Sequence, residues 1–173
     1  YPLLGGTMVS VYYAATVFSK VVSLAITPIN SVALSYLSKI NKKTNSLFKW
    51  TYIVGIVVCG IGYIMTIILS RPVLSILYPK YVDAAMQYIW ITSGTIVVSV
   101  LTSMITPFVL RFFDIKWQIW INGITTIMYI IISLSLLKLG GLMGFCVGAL
   151  LANIIKLLIT TYVYLKKTSR SSE

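Results

Sequence analysis

Apolar residues run along this chain in five long blocks, at positions 6–38, 47–70, 84–112, 117–137 and 141–165. Each is long enough to cross a bilayer, because about 20 mostly apolar residues in helical form span the hydrocarbon core. The pattern predicts an all-α integral membrane protein. About five transmembrane helices fill residues 1–165, and a basic cytoplasmic tail follows at 166–173.

Polar residues inside the blocks are periodic. In the first block Tyr13, Thr16, Lys20, Ser23, Thr27 and Ser31 recur at steps of three or four and share one helical face. Thr92, Thr95, Ser99, Thr102, Ser103 and Thr106 do the same in the third. Gln118, Asn122, Thr125, Tyr129 and Ser133 do so in the fourth, and Asn153 and Lys156 lie three apart in the fifth. A single Ser or Thr of this kind is explained by hydrogen bonding between or within helices, worth about 0.6 kcal/mol. Four stripes together predict helices that face one another across a polar cavity. Gly144, Gly148 and Ala152 step by four along the last block, and Lys156 continues that step. Small residues so spaced let two helices approach closely.

Two cations stand apart from the others. Lys20 lies about 14 residues from one end of its block and about 18 from the other. Lys156 lies ten residues before Lys166, roughly 15 Å at 1.5 Å per residue. A charge at mid-bilayer costs at least about 2.5 kcal/mol, and no acid lies inside any block to offset it. A snorkelled or neutral lysine explains either position. The other expectation is an anionic ligand, or a partner from elsewhere in the protein.

Prolines set the remaining shape. Arg71-Pro72 is expected to end the second helix, because proline disfavours helical geometry in the residue before it. The apolar piece from Val73 to Tyr78 then reads as a half-turn in the interface, with Tyr78, Tyr81, Tyr88 and Trp90 in an aromatic belt. Pro28 and Pro107 are placed to kink or end their helices.

Charge fixes an orientation. Lys39, Lys42, Lys43, Lys49, Arg111, Lys116, Lys166, Lys167 and Arg170 fall in alternate connections, against Arg71, Lys80 and Lys138 in the others. The positive-inside bias puts the first set and the C-terminus in the cytoplasm and the N-terminus outside. The net charge of +11 therefore reads as topology and not as a nucleic-acid footprint. Only 10 % of residues are charged and 58 % are hydrophobic, where a soluble domain carries about 25 % charged residues. The chain opens on Tyr1 and enters an apolar block almost at once, without a basic n-region or cleavage site. It is expected to begin inside a larger protein.

Catalytic chemistry has little to work with. The acids are Asp83, Asp114 and Glu173, histidine is absent, and Cys59 and Cys146 sit in apolar blocks as packing residues. No phosphate loop, paired acids, metal-ligand spacing or nucleophile elbow is present. No enzyme activity, cofactor or metal is expected.

Three segments carry a family resemblance. Val9-Ser10-Val11-Tyr12-Tyr13-Ala14-Ala15 leading to Val32-Ala33-Leu34-Ser35-Tyr36-Leu37-Ser38 resembles a helix from the C-terminal half of bacterial polysaccharide flippases, of the O-antigen and capsule type. Leu74-Ser75-Ile76-Leu77-Tyr78-Pro79-Lys80-Tyr81-Val82-Asp83-Ala84-Ala85 is similar to that family's outer loop. Leu139-Gly140-Gly141-Leu142-Met143-Gly144-Phe145-Cys146-Val147-Gly148-Ala149 is similar to its Gly-rich late helix. The chain departs from the family at Leu34-Ser35, where a proline is common. These flippases belong to the multidrug/oligosaccharidyl-lipid/polysaccharide exporter superfamily. The resemblance implies part of one lobe of a two-lobed transporter of about 12–14 helices. It implies that an undecaprenyl-diphosphate-linked oligosaccharide crosses the inner membrane for surface polysaccharide synthesis. The partners would be that lipid-linked glycan, membrane lipids and the N-terminal half of the transporter. Lys20 or Lys156 would then meet the diphosphate, and Asn153, Asn122, Gln118, Thr16 and Tyr13 the glycan. A multidrug exporter of the same superfamily and a non-transporting accessory membrane subunit remain alternatives.

Overall fold

The computed structural model describes residues 5–17 and 45–169, together with Pro28, Ser31, Val32, Ser35 and Leu37. The elements are α1 (Gly5–Ala15), α2 (Asn45–Leu77), a single 3-10 turn (Pro79–Tyr81), α3 (Val82–Phe112) and α4 (Ile115–Ser169). No strand occurs among the described residues. A helix closes its backbone hydrogen bonds within itself, which is what an apolar segment needs away from water.

Two buried clusters give the directions of the helices. One joins Phe48 of α2, Phe108 and Val109 of α3, and Ile121 and Tyr164 of α4, with Leu37 beside them. The other joins Val11 and Ala14 of α1, Leu74 of α2, Ala85 and Ile89 of α3, and Leu142 of α4. Helix α2 therefore runs from the first cluster to the second, and α3 runs back. Helix α4 starts at the first cluster, reaches the second near Leu142, and returns to the first at Tyr164.

That return happens at Gly140 and Gly141, where the backbone leaves helical geometry. Gly141 has φ +57° and ψ −141°, a region that a side chain would disfavour. The 55 residues of α4 thus form a hairpin of two arms, 115–139 and 142–169. Straight, α4 would be about 80 Å long, far beyond a hydrocarbon core of about 30 Å.

Helix α3 touches α1, α2 and α4. Within its most apolar stretch 44 % of residues are buried in the protein, against 17 % for α2. The remainder of α2 shows Ile53, Val57, Ile61, Ile64 and Ile68 to the outside. An apolar face of that length suits hydrocarbon or another membrane segment and not water. Among the described residues, three helical stretches are long and apolar enough to cross a bilayer: Ser46–Leu77, Pro79–Phe112 and Ile115–Lys166. The chain is built as a membrane protein. Three is fewer than the five blocks of the sequence. Two of those blocks make up the one hairpin of α4, and the 6–38 block is described only at its start and at a few later positions.

Arg71-Pro72 does not end α2, contrary to the expectation from proline. The helix continues to Leu77 with Pro72 inside it. Leu74 supplies the reason, since it is fully buried in the second cluster and a continued helix is what places it there. Tyr78 closes the helix with its N–H donating to the Leu74 carbonyl at 2.7 Å, and Pro79 starts the 3-10 turn. Tyr78, Tyr81 and Tyr88 pack on the second cluster, while Trp90 is exposed. Pro107 likewise sits inside α3 and is buried.

Candidate functional site

The α4 hairpin is closed near its bend by small residues. A Cβ on Gly144 would run into the Leu136 carbonyl oxygen, and one on Gly148 would stand 2.7 Å from the Ser133 Cα. The arms touch backbone to backbone there, as the four-residue stripe of small residues allows. This contact sets an antiparallel register in which residue 144 faces 136 and 148 faces 133. Continued two turns from Gly148, the register brings Ala152 beside Tyr129 and Lys156 beside Thr125.

At that level the arms part. A cleft of about 160 Å³ lies between them, lined by Thr125, Thr126, Tyr129, Ala152, Asn153 and Lys156. At about 30 Å³ per water it holds a few water molecules or one small polar group. Lys156 is half-buried and, among the described residues, is the only cation that lines it. Asp83 and Asp114, the acids among the described residues, are exposed and do not line the cleft.

Local hydrogen bonds orient the lining. The Thr125 hydroxyl donates to the Ile121 carbonyl at 2.7 Å, so its lone pairs face outward from that bond. The Asn153 amide nitrogen donates to the Ala149 carbonyl at 2.8 Å. Tyr129 sets its ring edge-on to Phe145 at 6.3 Å, and Phe145 sets its ring edge-on to Tyr12 at 5.3 Å. These three rings tie α1 to the hairpin beside the cleft. The site thus offers one ammonium and several neutral hydrogen-bonding groups. It suits a small anion or a hydroxyl-rich group. Among the described residues no cluster of His, Cys, Asp and Glu could hold a metal.

Of the residues expected from the sequence, Lys156 and Asn153 line this cleft. Asn122 is exposed one turn from Thr125 and does not line it. The Gln118 Oε1 is buried with no hydrogen-bond partner among the described residues, further along the same arm. Thr16 donates back to the Tyr12 and Tyr13 carbonyls of its own helix. Tyr13 is 48 % exposed and lies edge-on to Tyr78 at 6.3 Å, away from the cleft. Lys20, Ser23 and Thr27 lie outside the described residues.

The threonines of the α3 stripe bond to carbonyls of their own helix. Thr95, Thr102 and Thr106 each donate to the carbonyl four residues earlier. Thr92 also reaches the Ala15 carbonyl of α1 at 3.2 Å. Sequence reasoning missed Thr125, Thr126 and Tyr129 as site residues. Thr125 and Tyr129 belong to the fourth stripe, which is the signal for them; Thr126 fits the same spacing, four after Asn122 and three before Tyr129.

Comparison with family models, with curated proteins and with solved structures finds no match to this chain.

Proposed function

We propose that this chain is part of a flippase that carries an undecaprenyl-diphosphate-linked oligosaccharide across the cytoplasmic membrane for surface polysaccharide synthesis. In this reading the two arms of α4 are separate crossings. With α2, α3 and the 6–38 block they make about five helices of one lobe, with the N-terminal side outside and the C-terminus in the cytoplasm. The exposed apolar face of α2 then meets lipid or the rest of the transporter.

The observation that carries the proposal is Lys156. A cation with no acid among the described lining residues sits in a polar cleft between two apolar helices, and such a cation calls for an anion. The substrate's diphosphate supplies one, held more strongly there than in water because the surroundings are of low dielectric. Thr125, Thr126, Tyr129 and Asn153 supply hydrogen bonds to phosphate oxygens or sugar hydroxyls. A multidrug exporter fits less well, because a cationic drug would be repelled by Lys156 and would find no carboxylate among the described residues of the cleft.

The test is surface glycan export by the full-length protein carrying Lys156→Ala or Lys156→Arg, with protein level measured alongside. One charge-assisted hydrogen bond is worth about 1.5–3 kcal/mol, so Lys156→Ala should lower export about tenfold or more, while Lys156→Arg retains most of it. Export unchanged by Lys156→Ala at normal protein level would remove the lysine from the mechanism.

A further inference from the structure

We propose that the end of the bundle around Phe48 and Tyr164 is a binding surface for anionic phospholipid headgroups. The antiparallel run of the helices brings four termini to this end: the start of α2, the end of α3, and the start and finish of α4. Each brings an exposed cation, namely Lys49, Arg111, Lys116 and Lys166. Against these four, Asp114 is the acid among the described residues at this end, and it too is exposed. The opposite end carries Arg71, Lys80 and Lys138 beside Asp83.

Charge alone would reflect only topology. Aromatic rings add a second feature. Lys49 is followed by Trp50, 64 % exposed, and Lys116 by Trp117, 39 % exposed. The Lys166 Nζ stands 5.3 Å from the centroid of the Tyr162 ring. An exposed Trp or Tyr settles at headgroup depth, and a lysine beside it reaches the phosphate. Beneath this end the bundle seals itself. Phe48 stacks on Tyr164 at 3.9 Å, and the Arg111 Nε donates to the Leu37 carbonyl at 3.3 Å. The cations therefore sit directly over this packed cluster.

The rim is a ring around an apolar bundle, with Ile53 and Ile119 exposed along the flanks below it. A phospholipid matches both parts at once, its phosphate on the rim and its acyl chains on the flanks. A soluble phosphate matches only the first. The inference stands apart from the role given to Lys156, which lies on the inner seam of the hairpin, and it holds for either orientation in the membrane.

The experiment is lipid retention by the full chain in mixed micelles holding equal amounts of phosphatidylglycerol and phosphatidylcholine, read by native mass spectrometry. The wild type should retain phosphatidylglycerol several-fold over phosphatidylcholine, less so as salt is raised. The triple change Lys49→Gln, Lys116→Gln, Lys166→Gln should abolish the preference, and the same three changed to Arg should keep it. Arg71→Gln with Lys138→Gln should leave it intact, which separates this surface from charge in general. Circular dichroism confirms that each variant is folded. A preference that survives the triple Gln change would overturn the proposal. So would displacement of the bound lipid by millimolar glycerol phosphate, which would make the ligand a phosphate and not a lipid.

Discussion

The seam between the arms of α4 has two regions that differ in what fills them. Near the bend, Gly144 and Gly148 bring backbone against backbone, with no room for even one added carbon. Two turns beyond Gly148 the same face carries Lys156, and the arms stand apart around a cleft of about 160 Å³. One four-residue spacing runs through both. The difference teaches that the closed half makes the open half possible. Contact at the glycines fixes the register, and the larger polar residues that follow hold the arms apart at a defined depth.

The two regions should respond to substitution with opposite sign. The largest effect is expected from filling the closed half. Gly144→Ala and Gly148→Ala each force the arms apart and should cost about 1–3 kcal/mol, with the double change worse than either. Gly123→Ala, on the other arm and facing open space, should leave the unfolding midpoint in detergent unchanged or slightly raised. If Gly148→Ala unfolds at the wild-type midpoint, the arms do not meet as described.

Removing polarity from the open half should do the reverse. Lys156→Leu takes a lone charge out of an apolar hairpin and should raise stability by up to about 2.5 kcal/mol, while Lys80→Leu in the exposed 3-10 turn should not. A loss of stability on Lys156→Leu would mean that the ammonium already has a protein partner, and the contrast between the halves would fail. The smallest effect concerns the bond that joins α3 to α1. Thr92→Val removes the hydroxyl that reaches Ala15 and should cost about 0.6 kcal/mol in the same unfolding measurement, a small step beside the glycine changes.

Much of this was legible in the sequence, and the misses have physical causes. The block at 84–112 differs from α3 by two residues at its start, because both its ends are marked by interfacial polar and aromatic residues. The break expected at 138–140, between the last two blocks, overlaps the observed one at Gly140 and Gly141, which sits at glycine because φ +57° at Gly141 would strain a residue with a side chain. The small-residue stripe and the place of Lys156 on it were read from spacing alone. The end of α2 was misplaced by five residues or more at Pro72, because the local rule for proline takes no account of the burial of Leu74. Tyr13 and Thr16 were grouped with the site because they share a helical face with other polar residues. A shared face shows which residues go together and not what they meet, and Thr16 meets its own backbone. The α3 hydroxyls illustrate the same point, since a Thr in an apolar helix satisfies itself four residues back unless a neighbour offers more.

The central claim is that Lys156 makes the open half of the hairpin an anion site. Its most direct test is the affinity of the full-length protein in nanodiscs for an undecaprenyl-diphosphate-linked glycan, with Lys156→Leu and Lys156→Arg beside the wild type. The account predicts binding weakened about tenfold or more by Lys156→Leu and largely kept by Lys156→Arg. Wild-type affinity in a folded Lys156→Leu protein would contradict it.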